Sequence, residues 1–160
     1  MDALVTRIRE LYSDFLAADS RQIAEIYAEN TVFRDPVHEL CGLASLQGYF
    51  AGMAENLQEC RFEFDQSLID GGRVSLWWTM YYRHPRLGGG SPLKLRGASL
   101  LLIDPQLNRV VMHEDVYDLG AMVYEQIPVL GRVVNLVKAS LAKGSVTAQA
   151  SEKRIDEPSN

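Results

Sequence analysis

The chain has 160 residues, 47% of them hydrophobic and 23% charged, which suits a globular protein large enough for a real core. A formal charge of −5 argues against nucleic acid as the main partner. No apolar run reaches the length of a membrane span, and the N-terminus lacks the basic start and apolar block of a signal peptide. The expected compartment is therefore the cytoplasm. Cys41 and Cys60 form neither a disulfide framework nor a metal spacing. His38, His84 and His113 match no metal motif either, so no metal and no cofactor is expected.

In chain order, Leu4, Val5, Ile8, Leu11, Tyr12, Phe15 and Leu16 recur at helical spacing and predict a first helix with one apolar stripe. Asp19 or Ser20 caps a second helix, with Gln22 completing a capping-box pattern and Asn30 ending it. Its buried face is Ile23, Ile26 and Tyr27. A short strand, Thr31 to Asp35, follows, then a turn from Pro36 to Gly42. A third helix from Leu43 to about Asn56 buries Leu43, Leu46, Phe50 and Met53. From Arg61 the period changes to two. Strands are predicted at Arg61–Asp65, Val74–Tyr82, Leu93–Ile103 and Arg109–Asp118, joined by turns at Asp70-Gly71-Gly72, at Gly88-Gly89-Gly90 and at Asp104–Asn108. Residues 119–143 read as an apolar helical segment, kinked or restarted at Pro128.

Helices followed by a run of strands read as α+β. The expected architecture is a cone-shaped barrel: a curved, mixed, mostly antiparallel sheet wrapped around the N-terminal helices, enclosing a pocket. One domain is expected over residues 1–143, including the helical extension at 119–143, with a polar, disordered tail at 144–160.

The strand ending at Asp35 carries the first chemical hint. Pro36 lacks an N–H and forces its predecessor to be extended. Thr31, Phe33 and Asp35 then share one face. A carboxylate beside an aromatic ring on an inner face is a candidate for a raised pKa and a catalytic role. The plainer reading is that Asp35 caps the turn before Pro36. On the last strand, His113, Asp115 and Tyr117 alternate and share a face.

The element order, the stretch Tyr27-Ala28-Glu29-Asn30-Thr31-Val32-Phe33-Arg34-Asp35-Pro36-Val37 and the closing His113-Glu114-Asp115-Val116-Tyr117-Asp118 resemble the nuclear-transport-factor-2-like (cystatin-like) superfamily. Its enzyme branches include ketosteroid isomerases and SnoaL-type polyketide cyclases. The resemblance spans roughly residues 4–120. It implies a catalytic base at Asp35, where ketosteroid isomerases carry an Asp before Pro-Val. The isomerase oxyanion donors do not carry over. The tyrosine position falls on Leu11, one residue from Tyr12, and the protonated-carboxyl position falls near Ser99. Steroid isomerisation by that machinery is therefore not expected. The resemblance also places Val111, His113, Asp115 and Tyr117 on the pocket face, so that His113 and Asp115, opposite Asp35, replace the missing donors in the manner of SnoaL-type cyclases.

The resulting expectation is a small cofactor-independent enzyme acting on an apolar carbonyl or polyketide-like substrate by isomerisation, cyclisation or dehydration. Asp35 or Asp115 is the base and His113 the partner acid. Tyr12, Tyr27, Phe33, Phe50, Trp78, Met80, Tyr82, Ser99 and Tyr117 line the pocket. Epoxide hydrolysis would need Arg96 inside, and its register points it outward. The outward face bearing Trp77, Thr79 and Tyr81 implies a homodimer. The alternative is a non-catalytic module of the same fold that binds a hydrophobic ligand or a partner protein.

Overall fold

The computed structural model describes residues 2–152, with side chains through Leu141. Residues up to Leu119 form one compact unit and residues from Gly120 a second.

In the first unit, helix α1 (Asp2–Ser13) buries Leu4, Val5, Ile8, Leu11 and Tyr12. A 3-10 turn at Phe15–Ala17 follows. Helix α2 (Ser20–Ile26) begins with the expected capping box. The Gln22 N–H donates to Asp19 Oδ1 at 2.8 Å, and the Asp19 N–H donates to Gln22 Oε1 at 3.0 Å. The helix stops at Ile26, not at Asn30. Tyr27 is already extended and opens strand β1 (Tyr27–Arg34), where it pairs with Val110. Pairing with a distant strand overrides the helical spacing of Tyr27.

Within the predicted Pro36–Gly42 turn lies a short strand, β2 (Glu39–Cys41), antiparallel to β1. Gly42 then caps helix α3 (Leu43–Asn56) at φ +89, a conformation that disfavours side chains with a Cβ, while its N–H donates to Thr31 O at 2.8 Å. The meander β3 (Glu59–Asp70), β4 (Arg73–Arg83), β5 (Leu93–Asp104) and β6 (Arg109–Tyr117) completes an open six-stranded sheet, ordered β2-β1-β6-β5-β4-β3. Every neighbouring pair is antiparallel except β1 with β6. Register shifts at Phe64/Gln66 and Leu102/Ile103 interrupt the ladders, the kind of irregularity that bends a sheet. The second shift sits at Val111, so Val110 rather than Val111 takes the fully buried position.

Strand β4 alternates strictly. Val74, Leu76, Trp78, Met80 and Tyr82 point into the core, and Trp77, Thr79 and Tyr81 point the other way. Gly97 lies opposite Trp78, and a Cβ there would overlap the indole ring. Arg96 is exposed and paired with Asp65 at 2.6 Å, on the outer side as its register requires.

Helix α4 (Leu119–Met122) follows β6. In the second unit, a 3-10 turn at Tyr124–Gln126 leads into helix α5 (Pro128–Glu152), which Pro128 starts. Gly131 allows a close approach, since a Cβ would collide with the Glu125 backbone. Lys138 forms an ion pair with Glu125. The backbone of α5 continues to Glu152, past residue 143 where the helical segment was expected to end. Residues 153–160 of the expected tail lie outside the described residues. No helix among the described residues is long and apolar enough to cross a membrane.

Candidate functional site

Strand β6 brings His113 and Asp115 onto the inner face, beside Phe33 of β1 and Ser99 and Leu101 of β5. His113 is 1% exposed and both its ring nitrogens are engaged. Nδ1 lies 2.7 Å from the Tyr27 hydroxyl and Nε2 lies 2.9 Å from Asp115 Oδ1. The Tyr27 hydroxyl lies 3.0 Å from that of Tyr12. A second branch reaches the same carboxylate oxygen. Trp78 Nε1–H donates to Ser99 Oγ at 2.9 Å, and Ser99 Oγ donates to Asp115 Oδ1 at 2.6 Å.

The direction of these bonds follows from the chemistry. The indole N–H can only donate, so the Ser99 proton is free to go to Asp115. With Asp115 ionised, His113 Nε2 must donate. A neutral imidazole then accepts the Tyr27 proton at Nδ1, and Tyr27 accepts from Tyr12. Both branches therefore end on Asp115 Oδ1, while Oδ2 has no hydrogen-bond partner among the described residues. The Asp115 side chain is 15% exposed, so this oxygen belongs to a group that still meets solvent.

Around the polar branches the interior is aromatic. The Phe33 ring meets His113 edge-on at 5.1 Å, and Phe50 packs against Tyr12, Tyr27 and Phe33. The space bounded by Ile8, Tyr12, Phe62, Phe64, Leu76, Trp78, Ser99, Leu101 and His113 holds about 210 Å³ outside atoms, none of it wide enough for a water molecule. Met80 and Tyr82 are buried on the same face of β4 but stand further along it, opposite Leu95 and Leu93, apart from the hydrogen-bonded branches. Tyr117 ends β6 level with Trp78 across Gly97, its ring 6.4 Å from the indole.

Asp35 sits just beyond β1 and its side chain is only 2% exposed. Oδ1 accepts from the Val37 N–H at 2.7 Å and the His38 N–H at 2.6 Å. The Asp35 N–H in turn donates to His38 O at 2.9 Å. The turn-cap reading is thus realised in the geometry. In addition, Oδ2 accepts from the Tyr49 hydroxyl at 2.6 Å, and His38 Nδ1 stands 3.2 Å from both carboxylate oxygens. Burial pushes the Asp35 pKa up, but the donors from Tyr49, Val37 and His38 outweigh it and hold the carboxyl below its ordinary value. This corrects the expectation of a raised pKa. An aromatic neighbour desolvates, but four donors stabilise the anion.

The tyrosines shift the other way. Burial raises Tyr12 and Tyr27, reinforced by the nearby Asp115 charge. Tyr49 is raised by burial and by Asp35, and Tyr117 by burial and the charges of Asp35 and Asp115. All four remain neutral hydroxyl donors. Burial alone pushes Tyr82 up to about 12, and the Cys60 thiol likewise to about 12, which leaves the thiol unreactive. Among the described residues no cluster of His, Cys, Asp and Glu is arranged to hold a metal ion.

Tyr49 was not singled out from the sequence, although the signal was present. Leu46, Tyr49, Phe50 and Met53 stand at i, i+3, i+4 and i+7, so Tyr49 belongs to the inward stripe of α3.

A mixed sheet wrapped over N-terminal helices, with acid–base groups on the inner faces of its first and last strands, is the nuclear-transport-factor-2 or ketosteroid-isomerase-like fold. The sequence pattern of the SnoaL-like domain matches residues 8–106, and the chain belongs to that family. Solved structures agree on the fold. A SnoaL-like polyketide cyclase candidate from Shewanella denitrificans OS-217 is 19% identical, with a TM-score of 0.67 over 79% of this chain and 96% of that one. A protein of ketosteroid isomerase-like fold from Catenulispora acidiphila, solved with trimethylamine, is 14% identical, with a TM-score of 0.65 over 77% of this chain and 90% of that one. AclR, a hydroxylase candidate from Streptomyces galilaeus, is 18% identical, with a TM-score of 0.66 over 98% of this chain and 97% of that one. Among curated proteins the sequence finds no match.

Proposed function

We propose that this protein is a cofactor-independent enzyme that moves a proton at a carbon next to a carbonyl in an apolar, polyketide-like substrate. The observation carrying the proposal is the convergence of two hydrogen-bonded branches on Asp115 Oδ1, with Oδ2 left without a hydrogen-bond partner among the described residues. Asp115 is the base. Ser99 and His113 hold its carboxylate in one orientation, and Tyr27 fixes the His113 tautomer. Asp35 is the weaker choice, since its donors already stabilise the anion.

As Asp115 Oδ2 takes the α-proton, the electron pair moves onto the carbonyl and an enolate forms. A neutral phenol near both carboxylates, Tyr117, is suited to donate to that oxygen. The enolate can be reprotonated elsewhere, attack a second carbonyl, or expel a β-hydroxyl. These are the isomerase, cyclase and dehydratase outcomes. The cyclase outcome fits what the Shewanella relative is described as. The same reading gives the protein a second copy of itself on the outer sheet face, where Leu100 and Val116 are exposed.

The test is α-hydrogen exchange of 2-tetralone, an apolar ketone, in D₂O by proton NMR. Wild type exchanges the α-protons faster than buffer, and Asp115→Asn loses about 10²–10⁴-fold of that rate. Exchange that is absent in wild type, or unchanged in the variant, rejects the reading.

One observation favours a second reading, a non-catalytic module of the same fold. The space bounded by Tyr12, Trp78, Ser99 and His113 is too tight for a water molecule, as in a purely structural core. In that case neither wild type nor Asp115→Asn binds an apolar dye such as ANS in the interior, and neither catalyses exchange.

A further inference from the structure

His38 is the one ring nitrogen-bearing group near the site that pairs a buried carboxylate with an open face. Its side chain is 44% exposed, while that of Asp35 is 2% exposed. Nδ1 faces both Asp35 oxygens at 3.2 Å, so an ionised Asp35 requires a proton on Nδ1. Nε2 has no hydrogen-bond partner among the described residues. The carboxylate is itself immobilised by two backbone N–H groups and by Tyr49, whose ring centroid lies 4.9 Å from that of His38. A carboxylate that fixes one imidazole nitrogen and leaves the other accessible is the arrangement of a general acid–base dyad.

Register brings this dyad close to Asp115. Phe33 pairs with His113 and Arg34 with Glu114 on the parallel strands β1 and β6. Asp35 and Asp115 are the next residues along the two strands, and Tyr49 and Tyr117 each lie close enough to feel both carboxylate charges.

We propose that His38 is a second catalytic residue, its Nε2 exchanging the proton of the substrate oxygen while Asp115 works at carbon. This rests on the enolisation reading above. The step balances within the two groups. The α-C–H bond breaks and its proton goes to Asp115 Oδ2. The electron pair forms the C=C bond, the carbonyl π pair moves to oxygen, and that oxygen takes the Nε2 proton of the His38 imidazolium. The enol leaves Asp115 protonated and His38 neutral, and the reverse transfers restore both. Asp35 is then a positioning residue, which accounts for a low-pKa carboxylate at the place where the resemblance puts a base. Two stations, one for carbon and one for oxygen, suit a substrate with both an acidic C–H and an oxygen reaching the rim, such as a β-dicarbonyl or β-hydroxy carbonyl compound.

The test uses the full chain and two readouts. Long-range ¹H–¹⁵N correlation spectra of the imidazoles, recorded where His38 is neutral, show it as the Nδ1–H tautomer in wild type, and Asp35→Asn shifts it toward Nε2–H. In the 2-tetralone exchange assay, His38→Ala lowers the rate at least about tenfold, free imidazole in the buffer restores part of it, and wild type is indifferent to imidazole. An Nε2–H tautomer in wild type overturns the dyad. Exchange that depends on Asp115 but is unaffected by His38→Ala, or not rescued by imidazole, overturns the role of His38 and leaves the base standing. No exchange by wild type overturns both. Circular dichroism of each variant confirms that the fold is kept.

Discussion

Replacing Tyr27 by Phe removes one oxygen from the middle of the buried branch. Two partners lose it together: His113 Nδ1 at 2.7 Å and the Tyr12 hydroxyl at 3.0 Å. Tyr12, Tyr27 and His113 are all buried, and the neighbouring space admits no water to substitute. Each stranded polar group costs about 1–3 kcal/mol, so Tyr27→Phe, which strands two, is expected to cost about 2–6 kcal/mol. That corresponds to a fall in Tm of about 4–24 °C. Tyr12→Phe removes only the outer donor, leaves Tyr27 on His113, and costs about 0.5–1.5 kcal/mol. The double variant costs about 1 kcal/mol less than the sum, because the hydroxyl–hydroxyl bond is lost in either single variant. Urea unfolding followed by the fluorescence of Trp77 and Trp78 measures all three. A Tyr27→Phe cost below about 0.5 kcal/mol at constant m, or a Tyr12→Phe cost equal to it, would refute the branch as drawn.

Three other consequences are open to measurement. Asp35 has a lowered folded pKa, so its stabilisation is present above the ordinary carboxylate value, about pH 4, and is lost as pH falls through the folded pKa. The stability gap between wild type and Asp35→Asn should therefore narrow across that acid window, and a constant gap in urea midpoints contradicts it. Tyr12, Tyr27, Tyr49 and Tyr117 have raised folded pKa values, so the unfolded chain releases their protons first. Their contribution to stability should be flat below about pH 10 and fall above it; urea midpoints that stay level from pH 9 to 11.5 would count against buried phenols. Gly97→Ala drives a methyl group into the Trp78 ring and disturbs the indole that donates to Ser99. A loss of about 1–3 kcal/mol is expected, with an altered near-ultraviolet dichroism of the tryptophans. An unperturbed spectrum would mean that the indole does not lie over Gly97.

Much of this architecture was legible because local patterns and tertiary demands agree. The Asp19–Gln22 box, the Leu43–Asn56 helix and the alternation of β4 each satisfy their backbone and bury their apolar side chains by the same spacing. The period-two spacing of His113 and Asp115 sufficed to put both on one face, and the family resemblance marked that face as the inner one, despite the register shift nearby. What escaped depends on partners far away in sequence. Tyr27 reads as helical until β6 offers it a ladder, and Val110 replaces Val111 inside only because of the bulge. The environment of Asp35 was misread for a similar reason. Its aromatic neighbour on β1 is visible two residues away, but Tyr49 arrives from a helix 14 residues later and, with the Val37 and His38 donors of the turn, reverses the direction of the pKa shift.

The parallel pairing of β1 with β6 has a kinetic side. The Tyr27–His113 bond spans 86 residues, whereas each meander hairpin closes over a short turn. Loop closure favours the near contacts first. Strands β3 to β6 can therefore assemble as hairpins while β1 is still unattached, and in that species His113 has no Tyr27 on Nδ1. Native-like strand content arrives before a competent site does. The docking of one eight-residue strand is the event that separates a folded-looking chain from a working one.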